Sequence, residues 1–274
     1  MLDPQGPVGI AEKTILIDSL AIMLAIVIPT ILATFVFAWW FRASNRRAVY
    51  RPDWEFSGRI ELVVWSIPVM VIILLGGVAW LGSYQLDPYK PLPSTAPTLE
   101  VQVVSLDWKW LFIYPAQGVA SVNELVMPAG APVHFSLTSS SVMNAFFIPQ
   151  LGSMIYTMNG MVTQLNLQAD QPGTYVGRSS HYSGDGFSDM HFTVRAVSSV
   201  DFDAWLQRVR ASTDVLDQAA YANLSVQSMA VPVGYFRSVD EGLFHRIAMV
   251  VIPPAAGPAP AVSAGVASAE PKGR

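Results

Sequence analysis

The most informative absence in this sequence of 274 residues is that of cysteine. Without a thiol, the chain has no disulfide, no thiolate metal ligand, no catalytic cysteine and no sulfur that can carry a lipid. Charged residues are also scarce, at 13% of the sequence, and histidine occurs only four times. The net charge of −4 gives no sign of the basic stripe that normally accompanies nucleic-acid binding. More than half of the residues, 52%, are hydrophobic, which is unusual for a water-soluble protein.

Two long uncharged runs account for much of this hydrophobic excess. They span residues 19–41 and 62–86, and each exceeds the roughly 20 residues that cross about 30 Å of hydrocarbon. Pro29 and Pro68 interrupt the runs, but proline is tolerated in membrane helices. A secretory signal is disfavoured for the first run, because the run is long, its leading segment is acidic and a second span follows. The sequence therefore predicts two transmembrane helices.

The distribution of basic residues predicts how the two helices are oriented. The connector, residues 42–61, carries five arginines. By contrast, residues 1–18 offer only Lys13, and the twenty residues after the second run offer only Lys90. By the positive-inside rule, the connector is cytoplasmic and both termini lie outside. We expect a hairpin anchor that follows a short extracytoplasmic segment, 1–18, and carries a large exported domain.

The exported part begins with a proline-rich linker, residues 87–98, which favours a stiff extended chain. From residue 99 to 198, short alternating runs are separated by turns rich in glycine and proline. Val133–Leu137 and Thr163–Gln168 are examples, and Trp108–Tyr114 is an aromatic run that favours a strand. Several short strands with regular turns predict an all-β sandwich.

After residue 198 the pattern becomes helical, and residues 199–252 are expected to form a C-terminal helical, aromatic-rich region. A helix is predicted behind a cap at Ser199 or Asp201, because apolar residues then follow at helical spacing: Phe202, Trp205, Leu206 and Val209. A second short helix is expected near residues 214–223. Residues 253–274 consist mainly of alanine, proline, glycine and serine, which predicts a disordered tail.

Several segments carry a family resemblance, in the same order along the chain. The most specific are AWWFRASN (38–45), ELVVWSIP (61–68), LDWKW (106–110), MNAFFIPQLG (143–152) and residues 173–190. Together they resemble subunit II of the haem–copper terminal oxidases, and within it the quinol-oxidising branch of the cytochrome bo type. The resemblance runs from Leu2 to about Phe244. It implies a cupredoxin-like Greek-key sandwich on a membrane helix hairpin in a bacterial inner membrane, with the sandwich and both termini on the periplasmic side.

In the cytochrome-c-oxidising branch of that family, the sandwich holds a dinuclear copper site through which electrons enter. Its ligands are an early histidine and a late Cys-x-Glu-x-Cys-x3-His-x2-Met run. Laid on this sequence, the ligand positions are occupied by Asn144, Ser179, His181, Ser183, Phe187 and Met190. Only the methionine is kept, and serine hydroxyls have too high a pKa to replace soft anionic thiolates. The resemblance therefore implies no metal and no other cofactor in this chain.

A rebuilt mononuclear copper site is the alternative for the remaining donors. His181, His191 and Met190 supply imidazole and thioether groups, but neighbours in a strand point to opposite faces. We expect surface or loop histidines here. The tract Asp107–Trp110 occupies the place of an aromatic electron relay in the copper-bearing branch. With no copper behind it, we expect a packing role.

Glu61 opens the second span, two residues after Arg59. In the resembled family, a glutamate at this motif position lies at the mouth of the K channel, the proton path to the oxygen-reducing site. The resemblance thus implies a proton-entry role for Glu61. The alternative is an ordinary interfacial acid that pairs with Arg59.

The resemblance predicts a metal-free, non-catalytic subunit of a proton-pumping quinol:oxygen oxidoreductase. Subunit I of the complex is expected to hold two haems, one copper and ubiquinone. Subunits III and IV and membrane lipid are the other expected partners, with no role for cytochrome c or nucleic acid. Two further classes stay open: a copper-bearing cytochrome c oxidase subunit, which the missing thiolates disfavour, and a membrane-tethered binding or sensor module. Related chains often carry a leader and a lipidated cysteine just before Leu-Asp-Pro, whereas this sequence begins Met1-Leu-Asp-Pro4.

Overall fold

The computed structural model describes residues 2–49 and 51–257. The chain divides into two compact units, residues 11–87 and residues 1–10 with 88–274, which are described separately. Most of the predicted tail, from position 258 onward, lies outside the described residues. Positions 253–257 contain neither helix nor strand, and the backbone N–H of Ala255 donates to the carbonyl of Ser140 at 2.9 Å.

Two helices, Pro7–Trp40 (α1) and Gly58–Gln85 (α2), account for most of the unit 11–87. Both are long and apolar enough to cross a membrane. α1 begins well before the predicted 19–41, so most of segment 1–18 is helical as well. Hydropathy marks only the stretch of a helix that suits hydrocarbon, whereas charged residues such as Lys13 are compatible with helical backbone. The helices approach each other closely at Gly82, where an added Cβ would lie 2.7 Å from Cδ1 of Ile15.

Within its described part, the second unit is built from short strands, three α-helices and one short 3-10 helix, Phe187–Asp189. In chain order the strands are Leu99–Leu106 (β1), Lys109–Tyr114 (β2), Val119–Val122 (β3), Glu124–Pro128 (β4), Pro132–Ser139 (β5), Asn144–Phe147 (β6), Ile155–Thr157 (β7), Thr163–Gln168 (β8), Gly173–Ser179 (β9), His191–Val197 (β10), Val215–Leu216 (β11), Gly234–Phe236 (β12) and Ser238–Val239 (β13). The helices are Ser199–Arg210 (α3), Gln218–Ser225 (α4) and Leu243–Ala248 (α5).

These strands form two main sheets. The larger has the order β12–β3–β2–β1–β5–β8, and the smaller has the order β4–β10–β9–β6–β7. Most neighbours are antiparallel, but β1 runs parallel to β5 and β10 runs parallel to β4. The predicted all-β sandwich is confirmed. The predicted linker 87–98 contains no helix or strand, and the carbonyl of Pro88 accepts a hydrogen bond from Asn166 Nδ2 at 3.0 Å.

The core between the sheets is rich in aromatic side chains. Trp110 and Phe192 lie with ring centroids 5.5 Å apart, and Phe146 stacks on Phe192 at 5.2 Å. The larger sheet is also covered on its outer face, where Val104 and Leu111 belong to a second apolar cluster with residues of α4 and α5. Because both faces are buried, β2 is buried at every position instead of alternating.

The C-terminal helices follow the predicted pattern with shifted ends. α3 buries the four residues predicted for its apolar face, but its cap is Ser198, whose Oγ accepts a hydrogen bond from the backbone N–H of Asp201 at 3.1 Å. The cap predicted at Ser199 or Asp201 was therefore wrong, because Asp201 is the third residue of the helix and serves as the bonding partner of the cap. α4 begins after Asp217 instead of near 214, since residues 215–216 pair as a strand with β13.

Candidate functional site

Four of the six positions that the resemblance aligns with copper ligands meet at one end of the smaller sheet. β9 runs antiparallel to both β6 and β10, so its last residue, Ser179, lies opposite Phe146, two residues after Asn144 at the start of β6, and next to Met190 just before β10. The backbone N–H of Ser179 donates to the carbonyl of Met190 at 3.0 Å. Ser183 lies in the loop between β9 and β10. We call these four residues the ligand-position cluster.

The side chains of this cluster bond to one another in two pairs. Ser179 Oγ donates to Asn144 Oδ1 at 3.2 Å, and a second acceptor, the carbonyl of His181, lies at the same distance. Ser183 Oγ donates to Met190 Sδ at 3.9 Å. All four side chains are buried, and Asn144 and Met190 are each 1% exposed. The two serines that the resemblance aligns with bridging thiolates thus already use their hydroxyls as hydrogen-bond donors.

The other two positions lie nearer the surface. His181 is half-buried, with its ring edge-on to Tyr156 at a centroid distance of 6.0 Å. Phe187 is half-buried against Tyr182 at 5.6 Å. His191, directly after the buried Met190, is exposed, as expected for strand neighbours that point to opposite sides.

The donor set at these positions does not fit a dinuclear copper centre. Such a site needs soft anionic sulfur ligands, whereas the cluster offers two neutral hydroxyls, a carboxamide and one thioether. Within residues 2–49 and 51–257, no group of three or more His, Cys, Asp or Glu side chains is arranged to hold a metal ion. We therefore derive no electron-transfer step through a metal in this domain.

The side chain of Trp108 packs against the loop between β9 and β10, which carries Ser183. Its indole is 8% exposed, and Nε1 donates to the carbonyl of Ser183 at 3.0 Å. The ring lies on Gly186, where an added Cβ would be 2.3 Å from Cδ2 of the indole. Trp108 has φ of 69°, a left-handed conformation that is rare for a bulky residue. The sequence suggested that Trp108 begins a strand, but the residue lies in the β1–β2 turn and packs on the loop.

A second feature missed by sequence reasoning is a buried polar network beside Trp108. Lys109 is 1% exposed, and its Nζ donates to the carbonyl of Val226 at 2.7 Å and to Ser228 Oγ. Asp107 is 2% exposed and accepts hydrogen bonds from Ser141 Oγ and from Gln227 Nε2. Burial lowers the pKa of Lys109, and the nearby charge of Asp107 opposes this shift. The network fastens residues 226–228 to the β1–β2 turn.

A third polar contact ties the C-terminal region to the sandwich. Tyr235 OH donates to Glu124 Oε2 at 2.7 Å, and Arg195 Nη1 lies 3.4 Å from Glu124 Oε1. Burial and the adjacent Glu124 raise the pKa of Tyr235 to about 12. The sequence offered one signal for this contact, which is that Glu124 is a single acidic residue in a mostly apolar stretch.

Glu61 lies in the first turn of α2 and is exposed. Its Oε2 accepts a hydrogen bond from Nε1 of Trp65, one turn later, at 2.9 Å. Arg59, which was the expected partner in the alternative interpretation, is two positions away and so points to another side of the helix. The indole bond fixes the carboxylate on the Trp65 side of the helix.

Two family models match this chain. Residues 71–197 match the periplasmic domain of cytochrome c oxidase subunit II, and residues 210–254 match the COX aromatic rich motif. A solved structure with a similar fold is the periplasmic domain of subunit II of a cytochrome oxidase from Bradyrhizobium japonicum. It is 22% identical, covers 43% of this chain and 96% of that one, and has a TM-score of 0.40. The match to the periplasmic-domain model places residues 71–197 in the class of cytochrome oxidase subunit II.

The more similar relatives come from one branch of that class. Ubiquinol oxidase subunit 2 of Acetobacter aceti is 51% identical over 249 residues, covering 90% of this chain and 81% of the relative. Cytochrome bo(3) ubiquinol oxidase subunit 2 of Pseudomonas aeruginosa is 49% identical, covering 90% and 75%. The chain belongs to the ubiquinol oxidase subunit 2 family.

Proposed function

We propose that this chain is the metal-free subunit II of a proton-pumping respiratory quinol oxidase, and that electrons bypass it. The observation that supports this most strongly is the hydrogen bonding of Ser179 and Ser183. Each hydroxyl has an acceptor inside the cluster, Asn144 Oδ1 for the first and Met190 Sδ for the second. These side chains therefore stabilise one another and offer no thiolate to a metal ion.

In this proposal the redox groups belong to the neighbouring subunit. Subunit I holds two haems, one copper and the quinone, and reduces oxygen to water. Subunits III and IV complete the assembly, and cytochrome c takes no part. The present chain is non-catalytic. It supports subunit I through its helix hairpin, and its sandwich lies on the periplasmic side of the inner membrane, as the five arginines of the connector favour.

The metal content of the purified complex tests this proposal directly. A tag on this chain should bring down a haem protein with quinol oxidase activity, and elemental analysis should find one copper for every two haems. Three coppers for every two haems would mean that a dinuclear centre is present after all. Recovery of this chain without any haem protein would favour the binding or sensor module instead.

We further propose that Glu61 helps protons enter the K channel from the cytoplasm. Its exposed carboxylate, held on one side of α2 by Trp65, is placed where it can exchange protons with water. Glu61→Ala should slow oxygen consumption while the complex still assembles with a normal haem content. The matched control is Glu55→Ala, which removes a neighbouring exposed carboxylate outside α2. Equal turnover in both variants and the parent would contradict the role.

A further inference from the structure

The connector between α1 and α2 folds around a cavity of about 760 Å³. Its lining combines cationic and aromatic side chains, among them Arg42, Arg47, Arg51, Trp40, Trp54 and Phe41. The cavity lies directly after the end of α1, a helix long enough to cross a membrane. In a hairpin that spans a membrane, a cavity at the end of such a helix lies at the depth of lipid headgroups.

The first part of the connector is held in a defined conformation. Arg42 Nη1 donates to the carbonyl of Trp39 at 2.8 Å, Nε donates to Ser44 Oγ at 3.0 Å, and the guanidinium lies 4.9 Å from the centre of the Trp39 ring. Asn45 Nδ2 donates to the carbonyl of Trp40 at 2.6 Å. These bonds satisfy carbonyl groups at the C-terminal end of α1. Arg42 therefore stabilises the C-terminal end of α1, and two of its guanidinium nitrogens already donate hydrogen bonds within the chain.

Arg47 and Arg51 differ from Arg42 in this respect. Within the described part of the chain, the ion pairs are Arg195–Glu124 and Arg246–Asp240, so neither Arg47 nor Arg51 has a carboxylate within 4.0 Å. Both side chains line the cavity and are exposed. Two uncompensated guanidinium groups beside one cavity form a site for an anion with several acceptor oxygens.

We propose that this cavity binds the headgroup of an anionic phospholipid, of the phosphatidylglycerol type. Arg47 and Arg51 bond the phosphodiester oxygens, while Trp40 and Trp54 contact the glycerol region and the upper acyl chain. Free phosphate shares the charge but not the apolar part, and the aromatic lining favours the lipid. The inference requires only that the hairpin spans a membrane. It is independent of the route of electrons and of the role of Glu61.

Native mass spectrometry of the purified, delipidated complex tests the proposal. The probes are dioleoyl phosphatidylglycerol, dioleoyl phosphatidylcholine and inorganic phosphate, each titrated separately. Arg47→Gln with Arg51→Gln should weaken the tightest phosphatidylglycerol site about 25-fold, since each cation near an anionic lipid contributes about 1 kcal/mol, or a factor of about 5. Arg46→Gln is the matched control, because Arg46 lies in the same loop and does not line the cavity. It should change the affinity less than about twofold.

The remaining variants and outcomes distinguish the lipid from other possible occupants of the cavity. Arg47→Lys with Arg51→Lys keeps the charge but loses the planar fork, so an intermediate loss of affinity is expected. Equal weakening by Arg46→Gln would mean diffuse surface charge and would overturn the site. Binding of inorganic phosphate as tight as that of the lipid would mean a simple anion site. Loss of another subunit from the complex on mutation of Arg47 and Arg51 would mean that a protein carboxylate occupies the cavity.

Discussion

Replacing Gly186 with alanine tests the contact that closes the loop between β9 and β10. The added Cβ would lie 2.3, 2.5 and 2.6 Å from three atoms of the Trp108 indole, whereas ordinary contacts are about 3.4–4 Å. Either the methyl group or the ring must therefore move by about 1 Å. The backbone at Gly186 has φ of −89°, which alanine adopts freely, so the cost is purely steric.

The expected loss of stability in Gly186→Ala follows from the contacts that the Trp108 indole would lose by moving. Overpacking costs about 1–3 kcal/mol, and loss of the Nε1 bond to Ser183 adds about 0.5–1.5 kcal/mol. We expect Gly186→Ala to lower the stability of the sandwich by about 2–4 kcal/mol. Pulse proteolysis of the purified complex over a temperature series, with the intact chain quantified on gels, measures this change.

A double-mutant cycle supplies the control. Trp108→Gly removes the ring and fits the left-handed backbone at that position, so Gly186→Ala should cost less than about 0.5 kcal/mol in that background. A silent Gly186→Ala substitution in the parent chain would refute the packing of Trp108 on Gly186. The same cost with and without the ring would also refute it.

Three further predictions concern single residues. Trp108→Phe removes the bond to Ser183 and part of the ring that packs on Gly186, so stability should fall by about 1–3 kcal/mol with quinol oxidase turnover unchanged. A large loss of turnover at full assembly would assign the indole a redox role. Val250→Gly should raise the melting temperature, because a β-branched residue at φ of 58° costs about 1–2 kcal/mol that glycine avoids; an unchanged melting temperature would argue against strain. The pKa of Tyr235 is raised to about 12 by burial and by Glu124, so the folded state keeps a proton that the unfolded chain loses near pH 10. Stability from this group is therefore present below pH 10 and is lost between about pH 10 and 12, and the fall in melting temperature over that window should be smaller in Tyr235→Phe.

Features that depend on local pattern could be predicted from the sequence. The two membrane helices follow from hydropathy, and the strands around Val133–Leu137 and Thr163–Gln168 follow from alternation. The apolar face of α3 follows from helical spacing. The family resemblance aligned Asn144, Ser179, Ser183 and Met190 with the ligands of one metal centre, and no periodicity in the sequence would have grouped them.

Features that depend on contacts between distant segments could not be predicted. Burial of Lys109 requires acceptors at Val226 and Ser228, more than a hundred positions later. The left-handed turn at Trp108 is stabilised by Ser183 and Gly186, which no local propensity reveals. Residues of α4 and α5, which come much later in the chain, bury the outer face of the larger sheet. Strand β2 of that sheet is therefore buried at every position and does not alternate between buried and exposed residues. Each case is a tertiary contact that overrides local preference.

The pairing of β12 with β3 also constrains how the sandwich folds. Tyr235 and Phe236 lie opposite Ser121 and Ala120, so the outer edge of β3 stays open until the chain has been made as far as residue 236. An open strand edge is a site for pairing with other chains. Contacts across so large a sequence separation also form slowly. A chain that ends before this point exposes that edge, whereas in the full chain β12 covers it and blocks this route to aggregation.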